Sequence, residues 1–153
     1  MEEALTAGST QKIINREDLV LIASCFRSFS NLYTDIVQIT FLLSKVLEKS
    51  IQNSLFNFSS DSWGLHCNDI FYILQELEKQ KLIETIEGSN GLYKTFHITK
   101  LGYSTTSKKL KLISRYERNS IKKLSSVIND FTYLKMIAYI KLNFPERGNN
   151  IQV

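Results

Sequence analysis

Between Asn68 and Gly102 the spacing of apolar positions changes period. Across Asp69-Ile70-Phe71-Tyr72-Ile73-Leu74-Gln75-Glu76-Leu77 apolar residues recur at helical spacing, and Asn68 stands where a side-chain N-cap belongs. Leu82-Ile83-Glu84-Thr85-Ile86-Glu87 then alternates with a period of two, and Leu92-Tyr93-Lys94-Thr95-Phe96-His97-Ile98-Thr99 alternates again. The Gly88-Ser89-Asn90-Gly91 between them carries a hairpin-turn signal. The pattern predicts a helix followed by a β-hairpin.

Upstream, Leu19, Val20, Ile22, Ala23 and Phe26 predict a first helix that starts at Asn15 or Asp18 and runs towards Phe29, where Ser30-Asn31 interrupts it. Ile36, Ile39, Leu42, Leu43, Val46 and Leu47 predict the buried face of a second helix over Asp35 to Lys49. Ser50 to Gly64 is polar and irregular, with Phe56-Asn57-Phe58 as a short strand and Trp63-Gly64 packing against the next helix. Past Gly102 the spacing predicts one long helix to Asp130. Thr132 then caps a final helix, Tyr133 to Asn143, which Phe144-Pro145 stops.

The expected fold is α+β and mostly helical: a winged helix-turn-helix-like domain with added C-terminal helices. The domain covers 15–147, with a wing at 82–99 and C-terminal helices at 103–143, between a flexible arm at 1–14 and a flexible tail at 148–153. A chain of 153 residues, 43% hydrophobic, is large enough for one real core. Its most apolar stretch, Ile36 to Leu47, is too short to span a bilayer, and Met1-Glu2-Glu3 opens no secretory leader. Cys25 and Cys67 stand alone, as free thiols in a reducing compartment would. These features point to a cytoplasmic protein without a membrane partner.

A winged helix serves DNA readers and protein adaptors alike, so function rests on charge and chemistry. The net charge is +4 and the pI about 9.0, mildly basic. The helix that would enter a major groove exposes Asp69, Tyr72, Gln75, Glu76, Lys79 and Gln80, and the wing adds Glu84, Glu87 and Lys94. Carboxylates there oppose the phosphate contacts that dominate nucleic-acid affinity. Positive charge gathers later. Lys108, Lys111, Arg115, Arg118 and Lys122 step by three and four, placing them on one face of a helix, with Lys109 and Lys123 close by. Leu110, Ile113, Ile121, Leu124, Ile128 and Phe131 fall roughly opposite. Such a stripe would track a duplex backbone, with Lys100 and Lys94 adding phosphate contacts. A solvated helix face produces the same pattern.

Catalytic and metal chemistry have no visible carrier. His66-Cys67 beside Asp69 lacks a second ligand pair, and His97 lies far away on the hairpin. Neither a nucleophile motif nor a glycine-rich phosphate loop is present, so the chain reads as a non-enzyme without cofactor or metal. Tyr116, Phe131, Tyr133 and Tyr139 suit either a homodimer interface within Leu110 to Leu142 or packing of those helices on their own domain.

Several short matches run from Leu19 to Glu146. They are Gln38-Ile39-Thr40-Phe41-Leu42-Leu43, the helix end Leu77-Glu78-Lys79-Gln80-Lys81-Leu82-Ile83, the run Phe96-His97-Ile98-Thr99-Lys100-Leu101-Gly102, and Phe144-Pro145-Glu146. In these the chain resembles the YwgA-like and Panacea-type (antitoxin-associated) winged-helix-like proteins of prokaryotes. It departs at Gly64-Leu65-His66, where those proteins carry a Gly-Pro-aromatic loop. The resemblance implies a non-enzymatic regulatory or defence-associated role and carries over no catalytic residue. Two functions are expected from these readings. One is a regulator that binds double-stranded DNA through the basic stripe. The other is an adaptor whose Glu76, Glu84 and Glu87 meet a basic protein partner, such as a toxin or effector.

Overall fold

The computed structural model describes residues 14–27, 31–51, 56–88, 91 and 93–145. The fold is α+β and mostly helical, with small antiparallel sheets. The expected N-terminal arm and C-terminal tail, and the Ser30 break, lie almost wholly outside the described residues.

Helix α1 spans Arg16–Ser24. Asn15 and Asp18, the two candidate starts, are halves of one capping box. The Asn15 side chain accepts from the Asp18 N–H at 2.8 Å and the Asp18 carboxylate accepts from the Asn15 N–H at 3.1 Å. The helix stops at Ser24, short of Phe29. Strand β1, Asn31–Leu32, leads into α2, Tyr33–Val46. That helix begins before Asp35, because Asp35 occupies the third helical position and accepts from the Leu32 N–H. Every residue from Asp35 to Leu43 is buried, so α2 is the central helix, packed by α1 on one side and the C-terminal helices on another.

Phe56 and Phe58 are buried but form no strand. Their alternation serves aromatic packing instead: Phe58 meets Phe41 edge-on at 5.3 Å, and Phe41 meets Phe144 at 5.4 Å. The strands lie just beyond, β2 at Ser59–Asp61 and β3 at Gly64–His66, a hairpin that begins within the Ser50 to Gly64 stretch expected to be irregular and runs past its end. Gly64 has φ +110°, and a Cβ there would come within 2.8 Å of the Tyr133 hydroxyl. Trp63 does not pack as expected. It is 69% exposed, and its backbone carbonyl accepts from the Tyr133 hydroxyl.

Helix α3, Asn68–Lys79, buries Ile70, Ile73, Leu74 and Leu77. Cys67, not Asn68, is the N-cap, and it gives no side-chain hydrogen bond. The helix ends through Lys81 at φ 65°, where the Leu82 N–H turns back to the Leu77 carbonyl at 3.0 Å. The hairpin follows as β4, Ile83–Glu87, and β5, Lys94–Ile98, in register Ile83↔Ile98 to Glu87↔Lys94. Strand β1 pairs on the other side of β5, Asn31 opposite Phe96, giving a sheet ordered β1-β5-β4.

The expected long C-terminal helix is two helices, α4 at Lys100–Leu110 and α5 at Arg115–Ile128. Ser114 starts the second as a true N-cap, its hydroxyl accepting from the Glu117 N–H at 3.1 Å. Glu117 is buried, and it accepts from the Ser50 hydroxyl at 2.6 Å. Helix α4 packs on α1 and β5, whereas α5 packs on α2. The final helix α6, Tyr133–Asn143, is capped by Thr132 and ends at Phe144, as the sequence predicts.

Candidate interaction surface

The i, i+3, i+4, i+7 set of α3 is completed by Ile70, Ile73, Leu74 and Leu77, which leaves the neighbouring Phe71 and Tyr72 outside the core. Both contributed to the apparent apolar periodicity of the sequence. In the fold they face outward with Asp69, Gln75, Glu76, Lys79 and Gln80, all exposed. Asp69 pairs with Arg16 of α1 at 3.1 Å.

Phe71 forms one wall of a groove of about 370 Å³ lined by Leu32, Tyr33, Thr34, Tyr93, Lys94 and Phe96. It lies where β1 turns into α2, opposite the start of α3 and the beginning of β5. Tyr33 is fixed there, its hydroxyl donating to the Cys67 carbonyl at 2.7 Å and its ring meeting Phe71 edge-on at 6.0 Å. Phe71 in turn contacts Tyr72 at 5.8 Å. Tyr72 and Tyr93 are 63% and 52% exposed, too open to be core residues. Ile86 adds a further exposed apolar side chain on β4. The carboxylates of Asp69, Glu76, Glu84 and Glu87 are exposed on the same two elements, α3 and the hairpin. The groove is therefore aromatic and apolar, with Lys94 as its one charged lining residue among those described, and the carboxylates are exposed elsewhere on α3 and the hairpin.

The expected basic stripe does not form one rail. Lys108 ends up on α4, Lys111 in the connection, and Arg115, Arg118 and Lys122 on α5, two helices that rest on different parts of the core. Lys94, Lys100, Lys108, Lys111, Arg115 and Lys122 are all exposed. Arg118 is half-buried, and its guanidinium donates to the carbonyls of Leu110 at 3.2 Å and Ile113 at 2.6 Å. It therefore ties the C-terminal end of α4 to α5, satisfying carbonyls that a helix end leaves open. We expect Arg118→Ala to lower unfolding free energy by about 1.5 kcal/mol. Arg115→Ala should stay within about 0.5 kcal/mol. Urea titration of the two variants separates the structural arginine from the surface one. Neighbouring Lys109 pairs with Asp18 at 3.1 Å.

His66, Cys67 and Asp69 turn to separate partners. The His66 ring lies 2.8 Å from the Asp61 carboxylate, Cys67 is buried, and Asp69 is held by Arg16. The His66 hydrogen bond, followed by the Trp63 N–H, holds the Asp61 carboxyl below its ordinary range. Burial pushes both the Cys67 and the Cys25 thiols up, which keeps them protonated. His97 sits 3.0 Å from the Thr95 hydroxyl. Among the described residues, no three His, Cys, Asp or Glu side chains are grouped to hold a metal ion.

Of the C-terminal aromatics, Phe131 and Tyr139 pack together at 5.6 Å and Tyr133 bonds to Trp63, while Tyr116 is exposed. The buried faces of α5 and α6, including Ile121, Leu124, Ile128, Met136 and Ile140, belong to the chain's own core. No helix among the described residues is long and apolar enough to cross a membrane. No family model, curated protein or solved structure matches the chain.

Proposed function

We propose that this chain is a non-catalytic protein-interaction module on a winged-helix scaffold, regulatory or defence-associated, acting in the cytoplasm. The winged-helix reading is supported by the order α1-β1-α2-β2-β3-α3-β4-β5, with the β2-β3 hairpin between the two helices, and by a sheet ordered β1-β5-β4, in which α3 is followed directly by the β4-β5 hairpin. The resemblance to antitoxin-associated domains agrees with such a role. The observation that carries the interaction reading is the aromatic groove beside the acidic face of α3. In a DNA reader that face would meet phosphates, and Asp69 and Glu76 would oppose them. A groove walled by Tyr33, Phe71 and Tyr93 suits apolar anchors of a protein partner, and the carboxylates exposed on α3 and the hairpin suit a basic surface.

A photo-crosslinking residue in place of Tyr72, introduced in the host cell, tests this. The expected result is a discrete heteromeric adduct. The same residue in place of Lys123 on α5 should give none. Adducts at Lys123 alone would move the interface to the C-terminal helices.

A second reading, binding of double-stranded DNA, is favoured by the exposure of Lys94, Lys100, Lys108, Lys111, Arg115 and Lys122. Arg118 drops out of that set, because its guanidinium is engaged inside the fold. A homodimer through the C-terminal helices would use the exposed Leu134 and Leu142 of α6.

A further inference from the structure

Strand β4 is the outer strand of the three-stranded sheet among the described residues. The direction of its backbone groups follows from two hydrogen bonds at its ends. Gly88 N–H donates to the Tyr93 carbonyl at 2.7 Å, and Thr99 N–H donates to the Leu82 carbonyl at 3.1 Å. Antiparallel pairs alternate between bonded and non-bonded positions. Leu82, Glu84, Ile86 and Gly88 therefore turn their N–H and C=O groups towards β5, and Ile83, Thr85 and Glu87 turn theirs outward.

The side chains along this edge select what can lie against it. Glu84, Ile86 and Glu87 are exposed, and Ile83–Glu87 contains two carboxylates and no cation. Within the sheet, Lys94 faces Glu87, whereas Glu84 faces His97. A second copy of the same strand would bring four carboxylates together, and like charges across a strand pair are destabilising. A basic strand would gain opposite-charge pairs instead.

We propose that the partner of the α3–wing face docks in part as an extended basic segment that adds a fourth strand to β4. A Lys or Arg would lie beside Glu84, with an apolar residue two positions along beside Ile86. This inference rests on the protein-interaction reading and specifies its geometry.

A ten-residue peptide alternating valine with lysine is the probe, titrated into the whole protein by fluorescence anisotropy and by amide NMR. The largest amide shifts are expected at Thr85 and Glu87. Replacing the lysines by glutamate should weaken binding at least tenfold, as should Glu84→Lys with Glu87→Lys. Thr85→Pro removes an outward N–H without touching the β5 ladder and should also cost at least tenfold. A check free of folding effects uses peptide N-methylation. Methyl groups on the edge-facing amides should abolish binding, and methyl groups on the alternate amides should leave it.

Three results would overturn strand addition: no binding at millimolar peptide, equal binding by the two methylated peptides, or shifts confined to α4 and α5. If strand addition fails while crosslinking at Tyr72 still yields a heteromeric adduct, only the docking mode falls. If both fail, the protein-interaction reading falls with it.

Discussion

Gly102→Ala should destabilise the protein by about 3 kcal/mol and lower its melting temperature by roughly 6–12 °C. Helix propensity alone points the other way, since alanine is favoured over glycine in a helix by about 1 kcal/mol. The sign of the effect therefore separates the two forces. Gly102 lies in the first turn of α4, where its N–H donates to the Thr99 hydroxyl at 3.0 Å. That hydroxyl lies 2.8 Å from the Lys81 carbonyl and 3.0 Å from the Leu82 carbonyl, within donating reach of both. The helix is thus drawn down onto the start of β4. A Cβ on residue 102 would stand 2.2 Å from the Leu82 carbonyl oxygen and 2.6 Å from Ile98 Cδ1. Backbone must move to admit it. Thermal unfolding of the alanine variant decides the matter, and unchanged or raised stability would mean that α4 does not press on the Leu82 carbonyl. The Thr-x-x-Gly spacing in the resemblance thereby acquires a physical cause: a cap and a close approach at one joint.

Gln38→Leu should also cost about 3 kcal/mol, although leucine has similar volume and gains apolar burial. Gln38 is fully buried on α2, and its amide works in both directions. Nε2 donates to the Leu65 carbonyl at 3.0 Å, and to Thr34 at 3.2 Å. Oε1 accepts from the Leu65 N–H at 3.1 Å. The side chain thus replaces a neighbouring strand for β3. Leucine would leave a buried N–H and a buried C=O unpaired, and each costs about 1–3 kcal/mol against a smaller apolar gain. Gln38→Glu should cost at least as much, because an ionised carboxylate in that fully buried place would face the Leu65 and Thr34 carbonyl oxygens. Urea unfolding of both variants tests the order. Equal stability of the leucine variant and the wild type would show that Leu65 finds other partners.

The elements with clean periodicity were legible in the sequence. The α3 helix and the hairpin needed only the switch from 3.6 to 2, and the capped final helix carried both its start and stop signals. The broken C-terminal helix was harder, because basic residues at 108, 111, 115, 118 and 122 keep helical phase across the joint. A signal was nonetheless present. Ser114-Arg115-Tyr116-Glu117 has the Ser-x-x-Glu spacing of a helix start, and the structure uses it so. Strands β1 and β2 had no such signal. The first is only Asn31–Leu32, and Ser59-Ser60-Asp61 is polar, held by its turn and, through β3, by Gln38.

The groove was not legible for another reason. Leu32, Tyr33, Phe71, Tyr93 and Phe96 come from separate stretches, and only the sheet order brings them to one wall. Tyr72 is exposed as its position on the helix predicts, whereas Phe71 is left out of the core by the four residues at helical spacing that fill it. Arg118 looked like surface because its neighbours in the row were surface. There tertiary packing, not local pattern, assigned the side chain.

Quantitative capture from the host with three baits tests the central claim most directly. The baits are the wild type, an α3-face variant (Phe71→Ser, Tyr72→Ser, Glu76→Lys), and a C-terminal variant (Lys108→Glu, Lys111→Glu, Arg115→Glu, Lys122→Glu). Six of the seven side chains changed in these variants are well exposed and Phe71 is half-open, so each fold should survive. A specific protein retained by the wild type and the C-terminal variant, and lost from the α3-face variant, is the predicted result. Retention unchanged by the α3-face substitutions, together with salt-sensitive duplex DNA binding abolished by the C-terminal ones, would contradict it.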